Sequence, residues 1–160
     1  MPDPTIFERL KADHDSHRIL LARIGDAAAS EERKSLFDAF RIEVTAHAAA
    51  EEQTLYATML ADPELRHDAQ HSVAEHKEID DYFEEMEALD IASKEWADKF
   101  GEMRHRYTHH IDEEEEDMFP AADEGIADDM IEMIGERFET RKPAEIERAE
   151  QGADAGDERE

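Results

Sequence analysis

The segment His110-Ile111-Asp112-Glu113-Glu114-Glu115-Glu116-Asp117-Met118-Phe119 decides the fold, because it has a near-copy earlier in the chain, His47-Ala48-Ala49-Ala50-Glu51-Glu52-Gln53-Thr54-Leu55-Tyr56. Both segments read H-x3-E-E-x2-[LM]-aromatic. Residues four apart lie on the same face of an α-helix, so each copy directs one imidazole and one carboxylate the same way. Two such helices can supply a metal site inside a helical bundle.

Two further histidines recur at almost the same interval. His47 and His110 are 63 residues apart, and His14 and His76 are 62 residues apart. Both members of the second pair follow an acidic residue that itself follows an alanine. The chain therefore reads as two helical hairpins in tandem, each with one lone histidine followed by one His/Glu pair.

Apolar residues spaced by three and four predict four long amphipathic helices. We expect them to begin near Asp3-Pro4, Ser30, Asp62-Pro63 and Ser93, with Pro120 ending or kinking the fourth. Short connections favour an all-α, up-down-up-down four-helix bundle. In that topology, at about 1.5 Å per residue, the four histidines fall roughly 15–20 Å from the same end of the bundle. They can converge on one point.

The chain divides into three parts on this interpretation. Residues 1–125 form the four-helix bundle. Residues 126–142, with apolar positions at Ile126, Met130, Ile134 and Phe138, form a short C-terminal fifth helix packed on the bundle. Residues 143–160 have almost no large apolar side chain and are expected to be an acidic, disordered tail.

Composition limits the partners. Forty-five acidic against eighteen basic residues give a net charge of −27, which repels nucleic acid and anionic membranes. No transmembrane or secretory pattern is visible, so we expect a cytoplasmic protein. A protein partner cannot be named. The chain has no cysteine, so nitrogen and oxygen must bind any metal.

An inward layer of four imidazoles and two carboxylates needs compensation for its desolvation, which costs several kcal/mol for each buried charge. Two divalent metal ions would provide it, because each glutamate can bridge both ions while the histidines act as terminal ligands. The residues expected to bind metal are His14, His47, Glu51, His76, His110 and Glu114. We assign no catalytic residue and no organic cofactor.

The order of these motifs resembles the hemerythrin-like (HHE cation-binding) family over about residues 5–120. The resemblance implies a non-haem centre with two iron ions (Fe2+/Fe3+) and reactivity with O2 or a related molecule such as NO or peroxide. It places His14 and His47 on one iron and His76 and His110 on the other, with bridging glutamates. The donor set accepts Mn or Zn as well.

The chain also departs from the oxygen-carrying members of that family. Ser72 stands where they have a second histidine on the third helix. Their fourth-helix carboxylate lies five residues after its histidine, where this chain offers both Glu114 and Glu115. Oxygen carriage is therefore less secure than metal binding. The alternatives are a metal-dependent regulatory or iron-sensing module, or a di-iron oxidase or peroxide-consuming enzyme. We expect a metal- and O2-binding protein rather than a dedicated enzyme.

Several other side chains stay open as ligands or neighbours of the centre. These are His17, Glu52, Asp80, Tyr107 and Glu115. The pairs His67/His71 and His105/His109 are expected to lie outside it. The E-x2-H spacing typical of ferritin-like proteins occurs at Glu64/His67 and Glu102/His105, but the first lies at a helix start and the second faces outward.

Overall fold

The structure, a computed structural model, describes residues 3–155, which contain helices and no strand. The helices are α1 (Ile6–Asp26), α2 (Ser30–Glu51), α3 (Ala57–Leu60), α4 (Arg66–Glu87), α5 (Lys94–Glu113), α6 (Phe119–Gly125) and α7 (Asp128–Ala155). A first π turn (Glu52–Tyr56) joins α2 to α3, and a second π turn (Glu114–Met118) joins α5 to α6. The predicted second and fourth helices are therefore each one continuous rod with a π turn in it.

The core falls into two clusters that reveal the direction of each helix. One cluster contains the start of α1 (Ile6, Leu10), the end of α2 with the first π turn, the start of α4 and the second π turn. The other contains the end of α1 (Leu21, Ile24) and the start of α2, with the end of α4 and the start of α5. Successive long helices thus run in opposite directions, and the up-down-up-down bundle is confirmed.

The observed helix starts agree only in part with the starts predicted from N-cap residues. Ser93 caps α5 by accepting the backbone N–H of Trp96, as expected. At α1 the cap is Thr5 and not Asp3, because Thr5 and Glu8 exchange reciprocal side-chain and backbone hydrogen bonds of 2.9 and 3.1 Å. The third helix begins at Arg66, after a turn that contains Asp62.

The last helix differs from the expectation of a short helix over 126–142 and a disordered tail from 143. α7 spans Asp128–Ala155 and passes through Pro143. A proline inside a helix costs about 3 kcal/mol. Contacts on both sides of it offset that cost: Lys142 Nζ lies 2.6 Å from Asp13 Oδ1, and Gln53 donates a 2.9 Å hydrogen bond to Glu145. The remainder of the expected tail, 156–160, lies outside the described residues.

α7 packs mainly along α2 and also contacts α1. Its apolar residues Ile131, Ile134 and Phe138 are buried in the first cluster together with Ile126, and Met130 packs against them. The sequence predicted Ile126, Ile134 and Phe138 on this face, but the fourth buried residue is Ile131 and not the expected Met130. These apolar contacts explain why the helix lies on the bundle. No described helix is long and apolar enough to cross a membrane.

Candidate metal centre

All six residues predicted to bind metal lie together between the two apolar clusters. The exposed fractions are 0% for His14, 2% for His47, 0% for Glu51, 7% for His76, 1% for His110 and 2% for Glu114. α1 and α4 each contribute one histidine from mid-helix. α2 and α5 each contribute a histidine near their C-terminal ends, with a glutamate one turn later. The antiparallel topology brings them to one level.

Each of the four imidazoles has its Nδ1 atom tied to a carboxylate on the outside of the layer. The four pairs are His14 with Glu115 at 2.7 Å, His47 with Asp13 at 2.8 Å, His76 with Glu52 at 2.6 Å and His110 with Glu75 at 2.8 Å. A carboxylate at Nδ1 favours the proton there and turns Nε2 inward as a lone-pair donor. Metal-binding histidines are commonly held in this arrangement.

Each of the two inner glutamates has one carboxylate oxygen close to two imidazoles, one from each side of the layer. Glu114 Oε1 lies 3.5 Å from His14 Nε2 and 3.2 Å from His110 Nε2. Glu51 Oε1 lies 3.6 Å from His47 Nε2 and 3.4 Å from His76 Nε2.

The histidines themselves form two pairs. The ring centroids of His14 and His47 are 5.0 Å apart, and those of His76 and His110 are 4.9 Å apart. Each glutamate thus reaches both histidine pairs, which is the position that a bridging carboxylate needs.

Several of the inward atoms lack hydrogen-bond partners. Among the described residues these buried atoms are Nε2 of His14, His17 and His47, both carboxylate oxygens of Glu51, and Oε1 of Glu114. Leaving such groups unpaired costs about 1–3 kcal/mol each. One ligand atom each from His76, His110 and Glu114 already lies within 4.8 Å of the others. The residues therefore fit a metal: the outer atoms are satisfied, and the inner atoms form a set of nitrogen and oxygen donors.

The electrostatics of the layer show the same need for positive charge. Burial and the charge of Glu114 raise the pKa of Glu51 well above its usual value. Burial alone would also raise the pKa of Glu114, but the adjacent His110 holds it well below the ordinary range. Burial opposes protonation of His110, yet Glu114 and Glu75 raise its pKa to about 9. Without metal, protons on Glu51 and His110 thus moderate the negative charge.

The two π turns lie where consecutive glutamates serve different roles. The first follows Glu51 directly, and the second begins at Glu114. In each copy the first glutamate enters the layer, whereas Glu52 and Glu115 contact imidazoles from outside. A π turn inserts one residue into the helical register and occurs frequently at functional sites.

Two tyrosines adjoin the layer. Tyr56 donates a 2.5 Å hydrogen bond to Glu114 Oε2. Tyr107 Oη lies 2.8 Å from His17 Nδ1, and burial raises the pKa of this tyrosine well above 10. His17 is fully buried, and its ring lies 5.2 Å from that of His47, so it belongs to the surroundings of the centre.

The other candidates lie further out. Asp80 lines a small cavity with His47, His76 and Tyr107. His67, His71, His105 and His109 are exposed.

Sequence reasoning missed the outer role of Asp13 and Glu75, and it considered Glu52 and Glu115 only as substitute ligands. A signal was present, since every one of these acids is the immediate neighbour of a predicted ligand. The partners were not predictable, because each acid bonds an imidazole on another helix: Asp13 contacts His47 and not His14. Tyr56 was noted only as the aromatic end of its motif.

A solved structure shares this fold. The chain is 28% identical to a protein from Mycobacterium kansasii whose crystal structure is described as that of a hemerythrin HHE cation binding domain-containing protein. That match has a TM-score of 0.82 and covers 94% of this chain and 92% of the other.

A curated relative from Nostoc sp., named DNA nickase, is 23% identical over 145 residues. The match covers 88% of this chain but only 40% of that protein, so the chain spans about two fifths of the relative's length. The hemerythrin HHE cation binding domain family matches residues 5–122. With the buried His/Glu layer inside an antiparallel helical bundle, this match shows that the chain belongs to the hemerythrin HHE cation-binding domain family.

Proposed function

We propose that the layer holds two iron ions and that the resulting centre binds or responds to O2 or a related small molecule such as NO or peroxide. In this arrangement His14 and His47 bind one ion, and His76 and His110 bind the other. Glu51 and Glu114 bridge the two. One observation carries the proposal: the outer nitrogen of every one of the four imidazoles has a carboxylate partner, whereas the inward nitrogens of His14 and His47 and inward oxygens of both glutamates have none.

Iron would supply redox chemistry and coordination positions open to a diatomic or peroxide ligand. The chain supplies the rest. Asp13, Glu52, Glu75 and Glu115 fix the imidazole orientation, and the hydroxyl of Tyr56 orients Glu114 through its outer oxygen. The apolar clusters on both sides exclude bulk water, which strengthens electrostatic interactions inside the layer.

The number of protein ligands favours a centre that reacts with small molecules. Six side chains divided over two ions, with two of them shared, give each ion four protein donors. Iron ions held by these residues would keep coordination positions that a small molecule could occupy. Ser72 lines the same small cavity as His110 and Glu114, and its hydroxyl donates a hydrogen bond to Met118 Sδ.

The DNA nickase activity named for the Nostoc relative is not proposed for this chain. The match covers less than half of that protein. A net charge of −27 also opposes binding to a phosphate backbone. No geometry in the described part of the chain favours that function over a metal centre.

The test is metal content per chain by elemental analysis, after purification and after anaerobic reconstitution with Fe2+, followed by optical spectra before and after addition of O2, NO or peroxide. We expect about two irons per chain and a spectrum that changes with at least one of these molecules. The Glu51→Ala/Glu114→Ala variant should lose both irons.

The matched control is Glu116→Ala, because Glu116 is exposed and lies in the same π turn as Glu114. It should keep both irons. Two tightly bound irons in the double variant would refute the bridging assignment. An iron-loaded protein whose spectrum ignores all three molecules would refute the ligand assignment.

A further inference from the structure

A small cavity connects the surface with the His76 and His110 half of the centre. It has a volume of about 40 Å3, enough for a water molecule or a hydrated cation that has lost part of its shell. His110 and Glu114, both buried, lie at its inner side. Asp68, His71, Glu113 and Asp117 lie at its outer side. The lining therefore changes from exposed acids and one histidine to the candidate ligands themselves.

Three of the lining residues make up a second set of metal donors. His71 Nε2 lies 3.5 Å from Glu75 Oε2 and 3.3 Å from Glu113 Oε1. One ligand atom from each residue lies within 4.8 Å of the others. His109 Nε2 also lies 3.1 Å from the second oxygen of Glu113, so another imidazole is at hand. Nitrogen and carboxylate donors in this combination suit a divalent transition metal.

Glu75 joins this outer set to the centre. Its Oε2 atom faces His71, while its Oε1 atom lies 2.8 Å from Nδ1 of His110. At the inner side of the same cavity, Oε1 of Glu114 is buried without a hydrogen-bond partner. A cation held by the outer set is thus one side chain away from an unpaired carboxylate oxygen.

We propose that His71, Glu75 and Glu113 form an outer divalent-cation site through which Fe2+ reaches the centre. This inference rests on the proposed di-iron function. Partial exposure of His71 and Glu113, at 49% and 37% of their side chains, lets the cation keep several waters, so that it binds weakly and moves on. The negative charges of Asp68 and Asp117 raise the local cation concentration at the opening.

One fixed cation competes for the site. Arg106 Nη2 lies 3.7 Å from Glu75 Oε2. Its shorter contacts are with Glu78, at 2.8 and 2.9 Å, and these hold the guanidinium on the outer side. Arg106 therefore leaves the oxygen of Glu75 open toward His71.

The experiment measures the rate at which metal-free protein takes up Fe2+ under anaerobic conditions. A ferrous chelator added at successive times removes iron that has not reached the centre, and the protected iron is counted. The test variant is His71→Ala/Glu113→Gln. The matched control is His67→Ala/Glu116→Gln, which makes the same changes at two exposed positions outside the cavity lining. Circular dichroism checks that each variant is folded.

We expect the test variant to load about tenfold more slowly than wild type, because the outer site loses two of its three donors while the ligands of the centre stay intact. The size is taken from the roughly 10–100-fold effects on metal affinity or activity that changes around a metal site produce. It should still reach two irons per chain, and the control should load at the wild-type rate. A second variant, Asp68→Asn/Asp117→Asn, leaves the three donors intact. This variant should load more slowly than wild type at low ionic strength. At high salt, where the charges are screened, the two proteins should load at the same rate.

Equal loading rates for wild type and both test variants would overturn the outer site while leaving the di-iron proposal standing. If wild-type protein itself retained fewer than two irons, the di-iron proposal would be overturned and this inference with it. The final iron count and the loading rate therefore distinguish the two failures.

Discussion

Replacing Glu51 with glutamine should separate metal binding from folding. In the metal-free protein, burial and the charge of Glu114 raise the pKa of Glu51 well above its usual value, which favours the neutral carboxyl. Glutamine has nearly the shape of that neutral acid and, like it, can donate a hydrogen bond. The change should therefore alter the stability of the metal-free fold by less than about 1 kcal/mol. The amide cannot replace an anionic bridging ligand.

The expected size of the effect follows from linkage. A metal present at 100 times its Kd stabilises a folded protein by about 2.7 kcal/mol per site, or about 5 kcal/mol for two sites. In a chain of this length that raises the Tm by roughly 10–20 °C. A 100-fold loss of affinity at both positions would leave about 0.4 kcal/mol per site and a rise of only about 2–4 °C.

The assay is thermal unfolding followed by circular dichroism, anaerobically, with a chelator or with Fe2+. Glu116→Gln, at an exposed position, serves as the control and should keep the full metal-induced rise. Two results would refute the reasoning. A full rise in Glu51→Gln would show that Glu51 is not a ligand, and a loss of several kcal/mol without metal would show that its carboxylate is ionised and paired in the apo fold.

Three further changes test the surroundings of the centre. Because the pKa of His110 is raised to about 9 in the metal-free protein, its proton competes with metal below that pH. Mn2+ affinity measured by titration should therefore rise by about tenfold or more per unit from pH 7 toward 9, and a flat profile would contradict this. Asp13→Asn should cost about 2 kcal/mol in urea unfolding at pH 7. The pKa of Asp13 is lowered from 3.8 to about 2, so the wild-type advantage should be complete above pH 4 and vanish as the pH falls to 2; an advantage that persists at pH 2 would argue against it. Lys142→Met should lower metal affinity at the His47 position about tenfold, and an unchanged titration curve would count against any link between α7 and the centre.

The bundle and the six central residues could be predicted because helical periodicity determines both. Apolar spacing defines the inner face of each helix, and a histidine and a glutamate four apart on that face must enter the same layer. The distance of each histidine from the end of its helix predicted that all four lie at the same height along the bundle axis. These histidines are His14, His47, His76 and His110. This prediction needed only one assumption about residues far apart in the chain. Short connections make successive helices run in opposite directions.

The outer carboxylates and the π turns could not be predicted in the same way. In so acidic a chain, one glutamate beside a ligand is not distinguishable by composition from its neighbours. Which imidazole it contacts depends on the packing of a different helix. The extra residue in each π turn shifts the helical register of the residues that follow by a fraction of a turn. The apolar periodicity of the sequence does not reveal this shift. The first π turn lies where Glu51 points inward and Glu52 does not.

The C-terminal helix and the centre share one carboxylate. Asp13 contacts His47 through Oδ2 at 2.8 Å and Lys142 through Oδ1 at 2.6 Å. Burial would raise the pKa of Asp13, but these two partners lower it to about 2, so both contacts persist at ordinary pH. Phe138, one turn before Lys142, packs its ring 6.0 Å from that of His47. A change in α7 therefore alters the orientation of the His47 ring and leaves the donor atom of that ring in place. For this reason Lys142→Met should lower metal affinity more than it destabilises the fold.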